Sequence, residues 1–189
     1  MLESLRPLLT RILNPIAKKM NLNPNIITLI SPFIALVACY EFSQKMLLFA
    51  TIAIFLSGFL DVADGAIARY HGRSTKFGAF LDSTIDRISD GIIYIGIIFG
   101  GYCDWFIGVL LIHSAITISY VKARAESQGV SCNVGIAERA VRMIIIMVGA
   151  IVGYLTTPLY FTYILVFLVI ISYFTVLQRV YHVWRVLDE

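Results

Sequence analysis

Long apolar stretches alternate with short polar breaks along this chain, at intervals that suit helices crossing a membrane. After the turn-forming run Asn21-Leu22-Asn23-Pro24-Asn25, apolar residues dominate from Ile26 to Phe42, Met46 to Tyr70, Phe77 to Gly100, Trp105 to Ala125, Ile136 to Gly153 and Leu159 to Val180. A span needs roughly 20 residues of helix, and runs of this length are too long for strands. The pattern predicts an all-α polytopic membrane protein with six transmembrane helices, a single domain over 1–189 whose bundle occupies 26–183. Ahead of it, Leu2 to Met20 sets Leu and Ile at helical spacing among Arg6, Arg11, Lys18 and Lys19. That predicts an N-terminal amphipathic helix over 1–20, lying in the membrane interface. It has no short apolar block with a small-residue cleavage site, so it is expected to be retained.

Composition agrees: 59% of residues are apolar and the mean hydropathy is +0.83, where soluble domains use roughly 45–50% apolar residues. No stretch is left for a soluble domain. Cys39, Cys103 and Cys132 lie far apart without a C-x-x-C pair, which argues against a disulfide framework or a zinc site and for packing roles. The net charge of +3 is small. Of the 15 basic residues, all except Lys45 fall at one set of span ends if six helices cross with both termini on the same side. The turns 100–104 and 154–158 at the opposite ends carry none. Basic residues gather in cytoplasmic loops, so both termini and any chemistry are expected on the cytoplasmic side of a cell membrane. Basic residues at membrane edges face anionic lipid, and no nucleic-acid partner is expected.

Asp61, Asp64, Asp82, Asp86 and Asp90 lie near the inner ends of the second and third spans, where an unpaired carboxylate costs about 2.5–3.5 kcal/mol at full depth. Asp61 and Asp64 are i and i+3, and Asp82 and Asp86 are i and i+4, so each pair shares a helix face. The turn from His71 to Lys76 makes these helices antiparallel neighbours, and the two pairs can converge into one cluster of four. Crowded carboxylates repel, and a cation relieves the repulsion. Oxygen ligands without Cys or His suit magnesium, manganese or calcium, and four carboxylates balance two divalent ions, with magnesium the first expectation. A paired-metal site can polarise a phosphoryl group. Gly65, Ala66, Ala68, Gly78 and Ala79 leave the surrounding surface open to a ligand or to close helix packing, and Arg69 and Lys76 suit phosphates or mark the membrane boundary.

From Asp61 to Asp86 the chain reads D-x-x-D-G-x-x-A-R-x8-G-x3-D-x3-D, which resembles the signature of the CDP-alcohol phosphotransferase family at all eight fixed positions. The six-span layout is similar too. The resemblance implies that Asp61, Asp64 and Asp82 bind metal, and that Asp86 both touches the metal site and acts as general base. It implies that Gly65, Ala68, Arg69 and Gly78 help hold a CDP-lipid donor, CDP-diacylglycerol or CDP-archaeol, and that the protein is a homodimer among membrane lipids. No Ser, Cys or His stands out as a nucleophile.

The stretches Tyr120 to Glu126 and Gly135 to Arg142 concentrate cations and resemble the branch of the family whose acceptor is an inositol phosphate. Lys122, Arg139 and Arg142, with Arg179 within reach from the last span, suit an acceptor that carries phosphate, such as inositol 1-phosphate. The plainer alternative is that these residues enforce orientation. A glycerol 3-phosphate acceptor would use a similar pocket, and a cation transporter would place its acids nearer the bilayer middle. Glu138 and Glu126 are candidates to hold the basic groups in place. Asp90 falls outside the signature, either paired with Arg87 or extending the polar pocket. His71 and His182 read as interfacial, His113 as hydrogen-bonded within the bundle, and Gly149-x-x-x-Gly153 as a helix contact or dimer seam.

Overall fold

The computed structural model describes residues 23–188, together with Pro15 and Lys18, so the expected interfacial helix lies almost wholly outside the described residues. Six helices follow in sequence: α1 (Pro24–Ser43), α2 (Leu47–Tyr70), α3 (Lys76–Phe99), α4 (Trp105–Ser127), α5 (Arg139–Leu155) and α6 (Pro158–Asp188). Their starts are chemically marked. The side chains of Asn23, Thr75 and Asp104 accept from the backbone N–H groups of Asn25, Gly78 and Ile107, satisfying donors that a helix start leaves unpaired. Pro24 occupies the first turn of α1, where its missing N–H costs nothing.

α1, α2, α4 and α6 are long and apolar enough to cross a membrane. α3 is interrupted by Asp82, Asp86, Arg87 and Asp90, and α5 has 17 residues. The 31 residues of α6 span about 46 Å, well beyond a hydrocarbon core of about 30 Å. That helix runs to Asp188, past the expected end at Val180. α5 starts at Arg139 instead of Ile136: Gly135 has φ +116°, and Ala137 N–H is turned toward Thr175 Oγ1 at 2.9 Å.

The helices pack as a closed ring, α1–α2–α5–α6–α4–α3 and back to α1. Phe42, Tyr94, Leu111, Ile146, Phe161 and Leu165 belong to its fully buried apolar interior. Small residues set the closest approaches. A Cβ on Gly96 would lie 2.5 Å from Cys39 Cα, and one on Gly149 would lie 2.8 Å from the Phe161 ring. The Gly149–Gly153 spacing thus serves the α5–α6 seam inside the chain. His113 Nδ1 and the Tyr173 hydroxyl share a 2.8 Å hydrogen bond between α4 and α6, as expected of a mid-span histidine. Cys103 and Cys132 are buried, and all three cysteines are free.

Candidate active site

The C-terminal part of α2, the N-terminal half of α3 and the start of α5 meet at the end of the ring that carries nearly all described basic residues. Asp61, Asp82 and Asp86 present carboxylate oxygens that lie within 4.8 Å of one another. The antiparallel α2–α3 turn brings together three of the four carboxylates expected to converge; Asp64, the i+3 partner of Asp61, is not one of this group. Asp64 sits one turn along α2 from Asp61 and is anchored from a third helix: Thr28 Oγ1 of α1 donates to its Oδ2 at 2.6 Å. Nothing in the spacing of α1 signalled Thr28, four residues past a capped Pro24. Asp82 Oδ1 is buried without a hydrogen-bond donor among the described residues. A buried carboxylate oxygen lacking a donor is costly, and a hard cation is the partner that suits an all-oxygen set of this kind.

Beside the acids lies a cavity of about 150 Å³ lined by residues that include Thr28, Asp64, Gly65, Ala68, Arg69, Arg73, Gly78 and Asp82. All four positions expected to hold the CDP part of a donor line it. Arg69 lies back over Gly65, with its Nη1 3.1 Å from where a Cβ would stand, so the glycine makes room for the guanidinium. Arg73, from the α2–α3 turn, is an addition that the sequence did not single out. Asp61, Asp86 and Arg139 also line a second groove, of about 580 Å³. Its remaining wall is largely apolar, with Ile54, Phe55, Met143, Ile144 and Met147 between α2 and α5.

The expected acceptor residues are not gathered into one open basic pocket. Lys122 pairs with Glu126 at 3.8 Å on α4. Arg142 is 2% exposed and donates through Nη2 to Asp90 at 2.8 Å and through Nη1 to Ala137 O at 3.0 Å. Arg179 is also buried and donates to Val134 O at 2.9 Å and to Ile118 O at 2.6 Å, stitching α6 to the α4–α5 linker and to α4. Arg139 turns into the acids instead: Nη1 lies 3.1 Å from Asp61 Oδ2 and 2.8 Å from Asp86 Oδ1, and Nε donates to Asp90 Oδ1 at 3.0 Å. The carboxylate that holds the arginines is Asp90. Glu138 caps α5 with its backbone, and Arg87 pairs with Asp86 at 3.7 Å and donates to Ser83 O.

Residues 21–185 match the CDP-alcohol phosphatidyltransferase family. The chain belongs to that family. It is 46% identical over 185 residues to the archaetidylinositol phosphate synthase of Methanothermobacter thermautotrophicus, covering 98% of this chain and 95% of that one. With the synthase of the same description from Pyrococcus horikoshii it shares 38% identity, over 100% of this chain and 99% of the other. The fold is similar to the phosphatidylinositol phosphate synthase of Mycobacterium tuberculosis with CDP-DAG bound, at a TM-score of 0.83 and 30% identity over 92% and 94% of the two chains. The same enzyme in complex with manganese and citrate gives a TM-score of 0.82, also at 30% identity, over 91% and 88%. Membership makes the chain an integral membrane transferase and removes the transporter alternative.

Proposed function

We propose that this enzyme transfers a phosphatidyl-type group from a CDP-linked lipid, CDP-diacylglycerol or CDP-archaeol, to inositol 1-phosphate, with release of CMP. The observation that carries the reading is the convergence of Asp61, Asp82 and Asp86 beside a cavity walled by Gly65, Arg69 and Gly78. The similar archaetidylinositol phosphate and phosphatidylinositol phosphate synthases support the acceptor. Two divalent cations, magnesium or manganese, fit Asp61, Asp64, Asp82 and Asp86, and when bound they neutralise the pyrophosphate and polarise the lipid-bearing phosphoryl group.

The protein's own groups do the rest. Arg69 and Arg73, which make no ion pair with a described residue, face the cavity with charge to spare for donor phosphates. Gly65, Ala68 and Gly78 keep its walls low enough for the nucleotide to approach backbone. Asp86 takes the proton of the acceptor hydroxyl as that oxygen attacks the lipid-bearing phosphorus; the new P–O bond forms as the P–O bond to CMP breaks. No covalent enzyme intermediate is needed. The groove lined by Asp61 and Asp86 suits a lipid tail, since Ile54, Phe55, Val62, Ile93, Met143, Ile144 and Met147 make most of its wall apolar. Of the expected acceptor cations, Arg139 lies at the acids and Lys122 is part-exposed on α4, while Arg142 and Arg179 are buried.

The topology completes the proposal: α1 to α6 all cross the bilayer, the interfacial helix lies ahead of them, and the basic end with the active site faces the cytoplasm. Assembly as a homodimer belongs to the same proposal. Membranes given CDP-lipid with inositol 1-phosphate and glycerol 3-phosphate in competition should yield the phosphoinositide lipid, identified by mass. A phosphatidylglycerophosphate-type product alone would reject the acceptor while leaving the family chemistry in place.

A further inference from the structure

Asp90 is absent from the eight-position signature, yet it is 4% exposed and both of its oxygens are engaged by cations of another helix. Oδ1 accepts from Arg139 Nε at 3.0 Å and Oδ2 from Arg142 Nη2 at 2.8 Å. α3 and α5 are not neighbours in the helix ring, so this ionic link runs across its interior. It also sets what Arg139 can do. With Nε fixed on Asp90, the same guanidinium extends Nη1 to within 3.1 Å of both Asp61 and Asp86. One arginine therefore shares three carboxylates, and two of them belong to the trio that fits a metal.

We propose that Asp90 is a positioning residue that anchors Arg139 as a resident counter-cation of the metal site. A divalent ion needs the same lone pairs of Asp61 and Asp86 that Arg139 Nη1 occupies, and two cations at hydrogen-bond range repel. Ion binding thus expels Nη1 from between the carboxylates, while the Nε–Asp90 bond keeps the guanidinium at the rim. There its freed donors meet the acceptor's phosphate, the group for which a planar fork is suited. Loading the metal and preparing the acceptor site become one movement about the Asp90 anchor. Arg142, held by the other oxygen of Asp90 and by Ala137 O, fixes the anchor itself.

The inference rests on the metal reading above, and the experiment separates the two. Manganese is titrated calorimetrically into detergent-purified enzyme without substrates, and melting temperature is recorded with and without the ion. Arg139→Gln removes the competitor and should tighten manganese binding about tenfold, enlarge the stabilisation that manganese gives and raise the acceptor KM more than it lowers kcat. Asp90→Asn releases the anchor, leaves the full guanidinium charge to Asp61 and Asp86, and should weaken manganese binding about threefold. In the Asp90→Asn/Arg139→Gln double variant the Asp90 effect on manganese should vanish, because it acts through Arg139. Should Arg139→Gln not fold, Arg139→Lys serves: it keeps the charge but loses Nε, and should make manganese affinity insensitive to Asp90→Asn. Unchanged or weaker manganese binding in Arg139→Gln, or an Asp90 effect that persists without Arg139, overturns the inference alone. A wild-type enzyme that binds no manganese overturns the metal reading with it.

Discussion

Arg179→Met distinguishes a structural arginine from one that contacts substrate. Arg179 is 4% exposed, and its guanidinium bonds two carbonyls on separate segments, Val134 O at 2.9 Å and Ile118 O at 2.6 Å. Each charge-assisted bond is worth about 1.5–3 kcal/mol, and methionine restores part of the lost packing. We expect a net loss of about 3 kcal/mol, drawn from the low end of that range. For a chain of this length it should lower the melting temperature by roughly 6–12 °C. The assay is thermal unfolding of the detergent-purified protein, with acceptor KM measured well below the transition. Arg179→Lys should recover only a minor share, since one ammonium does not fork between two carbonyls. An unchanged melting temperature, together with a steeply raised acceptor KM, would refute the stitching role and return Arg179 to the substrate pocket.

Three further outcomes follow from the geometry. Asp86→Asn should reduce transfer at least 100-fold while CDP-lipid binding, followed by equilibrium filtration, stays within a few-fold, because the proton acceptor is lost and the cavity residues remain. Gly65→Ala places a Cβ 3.1 Å from Arg69 Nη1; the displaced guanidinium should raise the CDP-lipid KM with little change in the acceptor KM, and equal effects on both would contradict the assignment of Arg69. Gly96→Ala sets a Cβ against the Cys39 backbone at 2.5 Å, and a loss of about 1–3 kcal/mol is expected, read as a lower melting temperature with wild-type KM values.

What the sequence disclosed, and what it concealed, has a physical division. Helices announce themselves through local apolar length, which is why α1 to α6 were legible. Apolar length alone, though, missed the continuation of α6 beyond Val180 to Asp188. It also counted Ile136 and Ala137 into a span although Gly135 and Thr175 hold them in the linker. Periodicity on α2 and α3 pointed to four converging carboxylates, and three of them, Asp61, Asp82 and Asp86, meet, because helical spacing fixes a face without fixing how far along the helix the facing partner lies. The partners of those faces are a different matter. Thr28 reaches Asp64 from 36 positions away, and Arg139 and Arg142 reach Asp90 from 49 and 52 away. No local pattern encodes such pairs, so the sequence shows Arg139 and Arg142 as cations without showing the carboxylate they share. Asp90 did leave one trace, its i+4 step beyond Asp86, which continues the acidic stripe of α3 toward the ring interior.

The most direct test is CMP release from CDP-lipid and inositol 1-phosphate by purified enzyme, measured with magnesium, with chelator, and in Asp61→Asn and Asp82→Asn. Stoichiometric CMP and phosphoinositide lipid in the wild type with magnesium, and neither product in the other three conditions, is the predicted result. Undiminished CMP release with chelator present, or in either aspartate variant, would contradict a catalytic centre built from the converging acids of α2 and α3.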